Sequence, residues 1–115
     1  MSGKDEERWE IRIAHIREQI QNIKKFVADM PFEEFCRDQK TVYAIMRCFQ
    51  IMGEAAKKIP ESIRTRHDSV EWKHIAGFRD ILVHDYDDVD LEMTWAVIKD
   101  DLPKLEIQIN KISIS

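Results

Sequence analysis

The chain has 115 residues, 43% of them apolar and 35% charged, with only three glycines and three prolines. This length supports one domain around one core, the apolar share excludes a disordered chain, and so few glycines and prolines exclude a turn-rich all-β fold. A net charge of −4 argues against a protein that coats nucleic acid through a broad basic face. It leaves room for an enzyme that grips a few phosphates locally, or for a chain whose main partner is a protein.

No apolar run approaches the ~18 residues that a membrane helix needs. The start, MSGKDEERWE, is charged and lacks an apolar signal core. A single domain over residues 1–115, located in the cytoplasm, is therefore expected. Cys36 and Cys48 form no CxxC motif, and buried reduced thiols are the expectation for both.

The first long helix is predicted from about Asp5 to Ala28. Trp9, Ile13, Ile16, Ile20, Ile23 and Val27 recur in steps of four and three, which places them on one face. Pro31 ends that stretch, and PFEEFCRD reads as a short helix or turn. The second long helix is predicted from about Asp38 to Ile59, with Val42, Ile45, Phe49, Met52, Ala56 and Ile59 on its apolar seam. Gly53 costs about 1 kcal/mol there relative to alanine, and close approach of another backbone would be the reason to keep it. Pro60 begins a further short helix with Glu61 and Ile63, and RTRHDS reads as a polar loop.

A third helix is predicted from Val70 or Glu71 at least to His84, with two stripes. Ile75, Phe78 and Leu82 form one; Ala76, Val83 and Tyr86 form the other, with Arg79 among them. Two stripes call for cover on both sides, and a second subunit is one source of the second cover. DYDDVD reads as an acidic turn with Asp90 capping the last helix. That helix starts near Leu91 and carries Trp95, Ile98, Leu102, Leu105, Ile109 and Ile112, with a kink or break expected at Pro103. Four main helices plus short ones predict an all-α, up-down helical bundle.

The segment GFRDILVHDYDDVD holds the chemistry: Arg79, four residues, His84, one residue, Tyr86. On a regular helix Arg79 and Tyr86 lie nearly in line, while His84 is offset by about 140°. The three converge only if the helix end bends or a second chain completes the cluster. RNA cleavage without a metal needs a base for the ribose 2′-hydroxyl and an acid for the leaving oxygen. Histidine titrates near enough to neutrality for either role. Arginine can hold the phosphate and oppose the charge that develops on it. A two-fold dimer would bring two histidines and two arginines into one cleft. A bland alternative stands beside this: Arg79 pairs with Asp80, Asp85 or a glutamate, His84 caps a helix end, and Tyr86 is a half-buried ring.

The stretch from MRCFQIMGEAAKKIPESIR through WKHIAGFRDILVHDYDDVDLEMTWAVIKDDLPKL resembles the HepT-like branch of the HEPN superfamily. The resemblance rests on GEAAKKIP, W-x-x-I-A-G-x-R-D, R-x4-H-x-Y and V-D-L-x-x-x-W, and covers roughly the second half closely. It implies a homodimeric helical bundle that acts as a metal-independent ribonuclease. It implies a toxin of a two-gene toxin–antitoxin module whose antitoxin partner is a minimal nucleotidyltransferase. Under the resemblance Arg79 and His84 are the catalytic pair, Tyr86 receives adenylyl groups, and Asp80 is a supporting polar residue. An AMP on Tyr86 would place bulk and negative charge in the RNA cleft. Family members often carry an aromatic residue and glycine after the tyrosine; here Asp87 and Asp88 follow, and these carboxylates would disfavour RNA.

Other features read more plainly. Asp85, Asp87, Asp88 and Asp90 lack the glycine and glutamate of a calcium-binding EF-hand loop, and no metal or cofactor is expected. His15, His67 and His74 have no zinc-like spacing, and His74 reads as an exposed helix residue. Trp9, Trp72 and Trp95 suit packing better than base stacking. Lys57, Lys58, Arg64 and Arg66 form the one basic stretch, either solvated or at the rim of an RNA or partner contact. The competing functional class is a non-catalytic helical module that recognises nucleotide or a nucleotidyltransferase partner; a third is a purely structural dimer.

Overall fold

The computed structural model describes residues 2–84 and 88–113, with side chains described for residues 9–83 and 88–113. Helix α1 runs Ser2–Val27. Its predicted seam is the buried one: Ile13, Ile16, Ile20 and Ile23 are fully enclosed, and Trp9 is half-buried beside His67. PFEEFCRD forms helix α2, Phe32–Arg37, which drives Phe35 into the core. Helix α3, Gln39–Lys57, starts from Asp38, whose carboxylate accepts from the Thr41 amide at 3.1 Å and the Thr41 hydroxyl at 2.7 Å. These bonds satisfy one of the free amides of the first turn. They also hold the Asp38 carboxyl below its ordinary value, the hydroxyl contributing most.

Every residue of the predicted α3 seam is buried, and α3 packs along α1. Gly53 has the role expected of it. A Cβ there would sit 3.3 Å from the Ile75 carbonyl oxygen and 3.4 Å from that of Ala76. A side chain at this position would require those carbonyls to give by a few tenths of an ångström, so glycine lets the two backbones meet closely.

Helix α4 covers Glu61–Arg66 with Pro60 at its cap, so Arg64, Thr65 and Arg66 are helical rather than part of a polar loop. Proline's fixed φ suits the residue before a helix, and the amides of Ile63 and Arg64 both return to the Pro60 carbonyl.

The third predicted helix is broken, which corrects the expectation of one rod reaching His84. Helix α5 is Trp72–Ala76 and helix α6 is Phe78–Leu82, separated by Gly77. The Gly77 amide is shared between the Lys73 and His74 carbonyls, at 3.0 and 3.2 Å, which tightens the turn between the two pieces. Beyond Leu82 the backbone becomes extended: Val83 has φ −120° and ψ 120°. Strand β1, Val83–His84, pairs antiparallel with β2, Asp88–Val89, matching Val83 to Val89 and His84 to Asp88. The Asp90 amide closes this ribbon on the Leu82 carbonyl at 2.8 Å. Cross-strand bonds therefore replace the helical ones, and β-branched Val83 suits the change. The acidic turn is in part a β ribbon.

The last helix follows as α7, Leu91–Ala96, a π-helical segment Val97–Asp101, and α8, Leu102–Asn110. Asp90 caps it as expected, accepting from the Met93 amide at 2.9 Å. Pro103 can neither donate to the Lys99 carbonyl nor tolerate it close by. The disturbance expected there takes the form of the wider π turn just before it, where the Leu102 amide reaches the Val97 carbonyl. Arg17 of α1 reaches the far end of α8 and donates to the Ile109 carbonyl at 2.9 Å and to that of Ile112.

Helices dominate the described chain, as the all-α expectation requires, and the core draws on α1, α3, α5, α6 and α8 together. Among the described residues no helix is long and apolar enough to cross a membrane. Both cysteines are free. Cys48 is buried, and burial raises its thiol pKa; Cys36 is only half-buried, short of the enclosure expected for it.

Candidate active site and nucleic-acid groove

The predicted second stripe of the third helix faces a groove. Ala76, Arg79 and Val83 line one wall, joined by Val89 of the ribbon. The opposite wall is the outer face of α3. Tyr43, Arg47, Gln50, Glu54 and Lys57 follow one another there in steps of four and three, turned away from the buried seam. Met46, Phe49 and Gly53 complete the lining, and the enclosed volume is about 510 Å³. The walls meet where Gly53 touches the backbone of Ile75 and Ala76.

The electrostatics of the groove run against the sign of the whole chain. Among the described residues its charged lining side chains are Arg47, Lys57 and Arg79 against Glu54. Among the described residues none of the three cations forms an ion pair or a side-chain hydrogen bond. The pairing of Arg79 with Asp80, one of the bland alternatives, is therefore not formed. Three unpaired cations around one concavity suit an anion with several charges, and arginine adds a planar fork matched to phosphate oxygens. Asp88 on the ribbon is exposed and follows the last residue of the proposed motif, Tyr86, by two positions.

The predicted site residues fall in different places. Arg79 is exposed at the groove. Asp80 is exposed but does not line it. The backbone of His84 lies in β1, one residue beyond groove-lining Val83, while its side chain lies outside the described residues. Tyr86, Asp85 and Asp87 also lie outside the described residues.

Arg47 and Tyr43 are among the lining residues that sequence reasoning missed. The available signal was the polar stripe Tyr43, Arg47, Gln50, Glu54, Lys57 opposite the apolar seam. An exposed stripe on one helix is ordinarily solvated, and only the packing of α5 and α6 beside α3 makes it a wall. Of the basic stretch, Lys57 lies in the groove; Arg64 is half-buried elsewhere, beside Trp72 and His74.

His74 is not the exposed histidine expected. Its Nε2 lies 2.9 Å from Asp101 Oδ2, and its ring stands edge-on to Phe78 at 5.0 Å, so it joins α5 to the π-helical segment. The tryptophans pack. Trp72 donates to the His67 carbonyl at 3.1 Å, and Trp95 lies 5.0 Å from Phe35 with Lys99 over its face at 4.7 Å. Among the described residues no group of three or more His, Cys, Asp or Glu side chains is placed to hold a metal ion.

This fold and groove define a small, mainly helical protein with arginine and lysine side chains lining a groove. The family model described as "Ribonuclease HepT-like" matches residues 16–112, and the chain belongs to that family. It is 37% identical over 97 residues to "Probable ribonuclease HepT" of Thermococcus cleftensis, covering 84% of this chain and 88% of that one. Two proteins that carry the name "putative RNase" are similarly related. One, from Methanocaldococcus jannaschii, is 38% identical over 93 residues, covering 81% of this chain and 80% of its own. The other, from Caldanaerobacter subterraneus, is 36% identical over 100 residues, covering 87% and 89%. No solved structure is a significant match.

Proposed function

We propose that this protein is a metal-independent endoribonuclease, working as the homodimeric toxin of a module whose antitoxin is a minimal nucleotidyltransferase. The observation that carries the reading is Arg79: a guanidinium with no ion pair among the described residues, in a groove with two further such cations, four residues before Val83, which opens the strand that contains His84. Family membership and the names of the relatives support the same class of chemistry.

In this mechanism Arg79 holds the scissile phosphate and offsets the charge that builds on its oxygens. His84 takes the proton of the ribose 2′-hydroxyl as that oxygen attacks phosphorus. The bond from phosphorus to the 5′-oxygen breaks, and His84 of the partner subunit returns a proton to the departing oxygen. The products are a 2′,3′-cyclic phosphate and a free 5′-hydroxyl. Asp80 acts from beside the cleft, and an adenylyl group on Tyr86 shuts the site by charge and bulk. On this reading the helical fold is an up-down bundle, and two copies approach at the groove wall formed by α6.

Purified protein should cut RNA in EDTA, and His84→Ala should lower the rate by about 10²- to 10⁴-fold. Equal cleavage by that variant removes His84 from the mechanism. Coexpression with a minimal nucleotidyltransferase of the proposed antitoxin type should add AMP-sized mass at Tyr86, and an unchanged intact mass removes that mode of silencing. The exposed Asp88 favours a second reading, a non-catalytic partner-binding module. It predicts no cleavage by either protein and partner affinity that depends on Arg79.

A further inference from the structure

From the groove we infer that the outer face of α3 is a track for single-stranded RNA, with Tyr43 stacking on an unpaired base and Arg47 holding a phosphate away from the scissile bond. This rests on the ribonuclease reading above and assigns to that site the strandedness of its substrate.

Three observations carry it. Tyr43 is 56% exposed although it is a large aromatic residue, and it lines the groove. Its hydroxyl accepts from Gln39 Nε2 at 2.8 Å, which restrains the ring at low further entropic cost while leaving it open to solvent. Arg47 lies one turn along the same face, with no ion pair among the described residues, and Lys57 lies further along that stripe. Finally, the groove mixes chemistries that a nucleotide chain needs side by side. Met46, Ala76, Val83 and Val89 offer apolar surface for bases, while Arg47, Lys57 and Arg79 offer charge for phosphates.

Helix geometry makes the track a ruler. Arg47 and Lys57 are ten residues apart and thus about 15 Å along α3, the length of roughly four stacked nucleotides. A base can lie on Tyr43 only if it has left its own stack, which a duplex does not allow without cost. The preference for single strands follows from that requirement. A protein partner would be expected to cover the apolar floor and to bring carboxylates for the cations. It would not need an exposed aromatic ring next to an arginine.

The test measures binding, separately from cleavage. In a His84→Ala background, affinity is measured for a fluorescent ten-nucleotide single-stranded RNA and for a perfect RNA duplex of the same sequence. Tyr43→Ala and Arg47→Gln should each weaken single-strand binding about tenfold. Arg47→Gln should also reduce the slope of log affinity against log salt by about 0.7. Duplex binding should be weaker from the outset and insensitive to Tyr43. Unchanged single-strand affinity in both variants overturns the track. So does a loss of affinity that appears only together with a changed oligomeric state in light scattering, because the stripe is then a contact between copies. If the wild-type protein cuts RNA but these variants bind normally, the track falls and the ribonuclease reading stands. If it binds through Tyr43 and Arg47 but never cuts, the ribonuclease reading falls and the track stands.

Discussion

Helix α3 shows two faces with opposite duties. Its inner face, Val42, Ile45, Phe49, Met52 and Ala56, is enclosed by α1 and by α5 with α6. Its outer face carries Tyr43, Arg47, Gln50 and Lys57, and among the described residues the two cations there have no ion partners. Burial fixes the first face energetically, since each enclosed aliphatic side chain contributes about 1.5–3 kcal/mol. The second face contributes little to folding and is free to carry chemistry. Stability and ligand binding are thus separated across one helix diameter.

The sharpest break of that comparison is a pair of substitutions two residues apart. Ile45→Ala should cost about 2–5 kcal/mol, read as a lowered urea midpoint. Arg47→Gln should stay within about 0.5 kcal/mol of wild type. Equal losses would show that the outer face is structural. A smaller effect is expected where the walls meet. Gly53→Val should cost roughly 1–3 kcal/mol, because its β-carbon would press on the Ile75 carbonyl oxygen 3.3 Å away. RNA binding should fall with it as the groove spreads, and a variant with full stability and full binding would show that the contact yields.

The smallest effect concerns pH. The carboxyl of Asp38 is lowered from 3.8 by the Thr41 hydroxyl and amide. Its stabilising contribution is therefore fully present above pH 3.8 and disappears as pH falls through the lowered folded value. Asp38→Asn keeps the helix cap without the titration and should flatten the acid limb of a thermal-stability profile. An unaltered acid limb would assign that limb to other carboxylates.

The long helices were legible because their seams repeat over many turns. Ile13 through Val27 and Val42 through Ile59 each give a periodic signal that no local feature contradicts. Gly53 and Asp90 were legible for other reasons: glycine inside a helix breaks a local rule and points to a close contact, whereas aspartate just before a periodic apolar run is a preferred helix cap. The break at Gly77 and the β1–β2 ribbon were not legible. Two residues pairing with two others leave almost no pattern, and the helical spacing of Ala76, Arg79 and Val83 continued through the segment where the helix stops. Pro103 announced a disturbance without saying that a π turn would absorb it. In the site, Arg79 stood out through its motif, whereas Tyr43 and Arg47 gained meaning only from a wall brought beside them by tertiary packing. His74 was misread for the same reason, since Asp101 is 27 residues away and reaches it only in the folded chain.

The main-chain contact at Gly53 has a consequence for how such a protein can diversify. Because backbone meets backbone where the groove walls join, the clearance there is set by peptide dimensions and does not depend on which side chains line the groove. Substitutions at positions 43, 47 and 50 can then change which nucleotides are preferred without altering the mould that receives them. Drift in taste at constant shape is an inexpensive evolutionary path, and the same three positions are natural targets for a library seeking altered sequence preference.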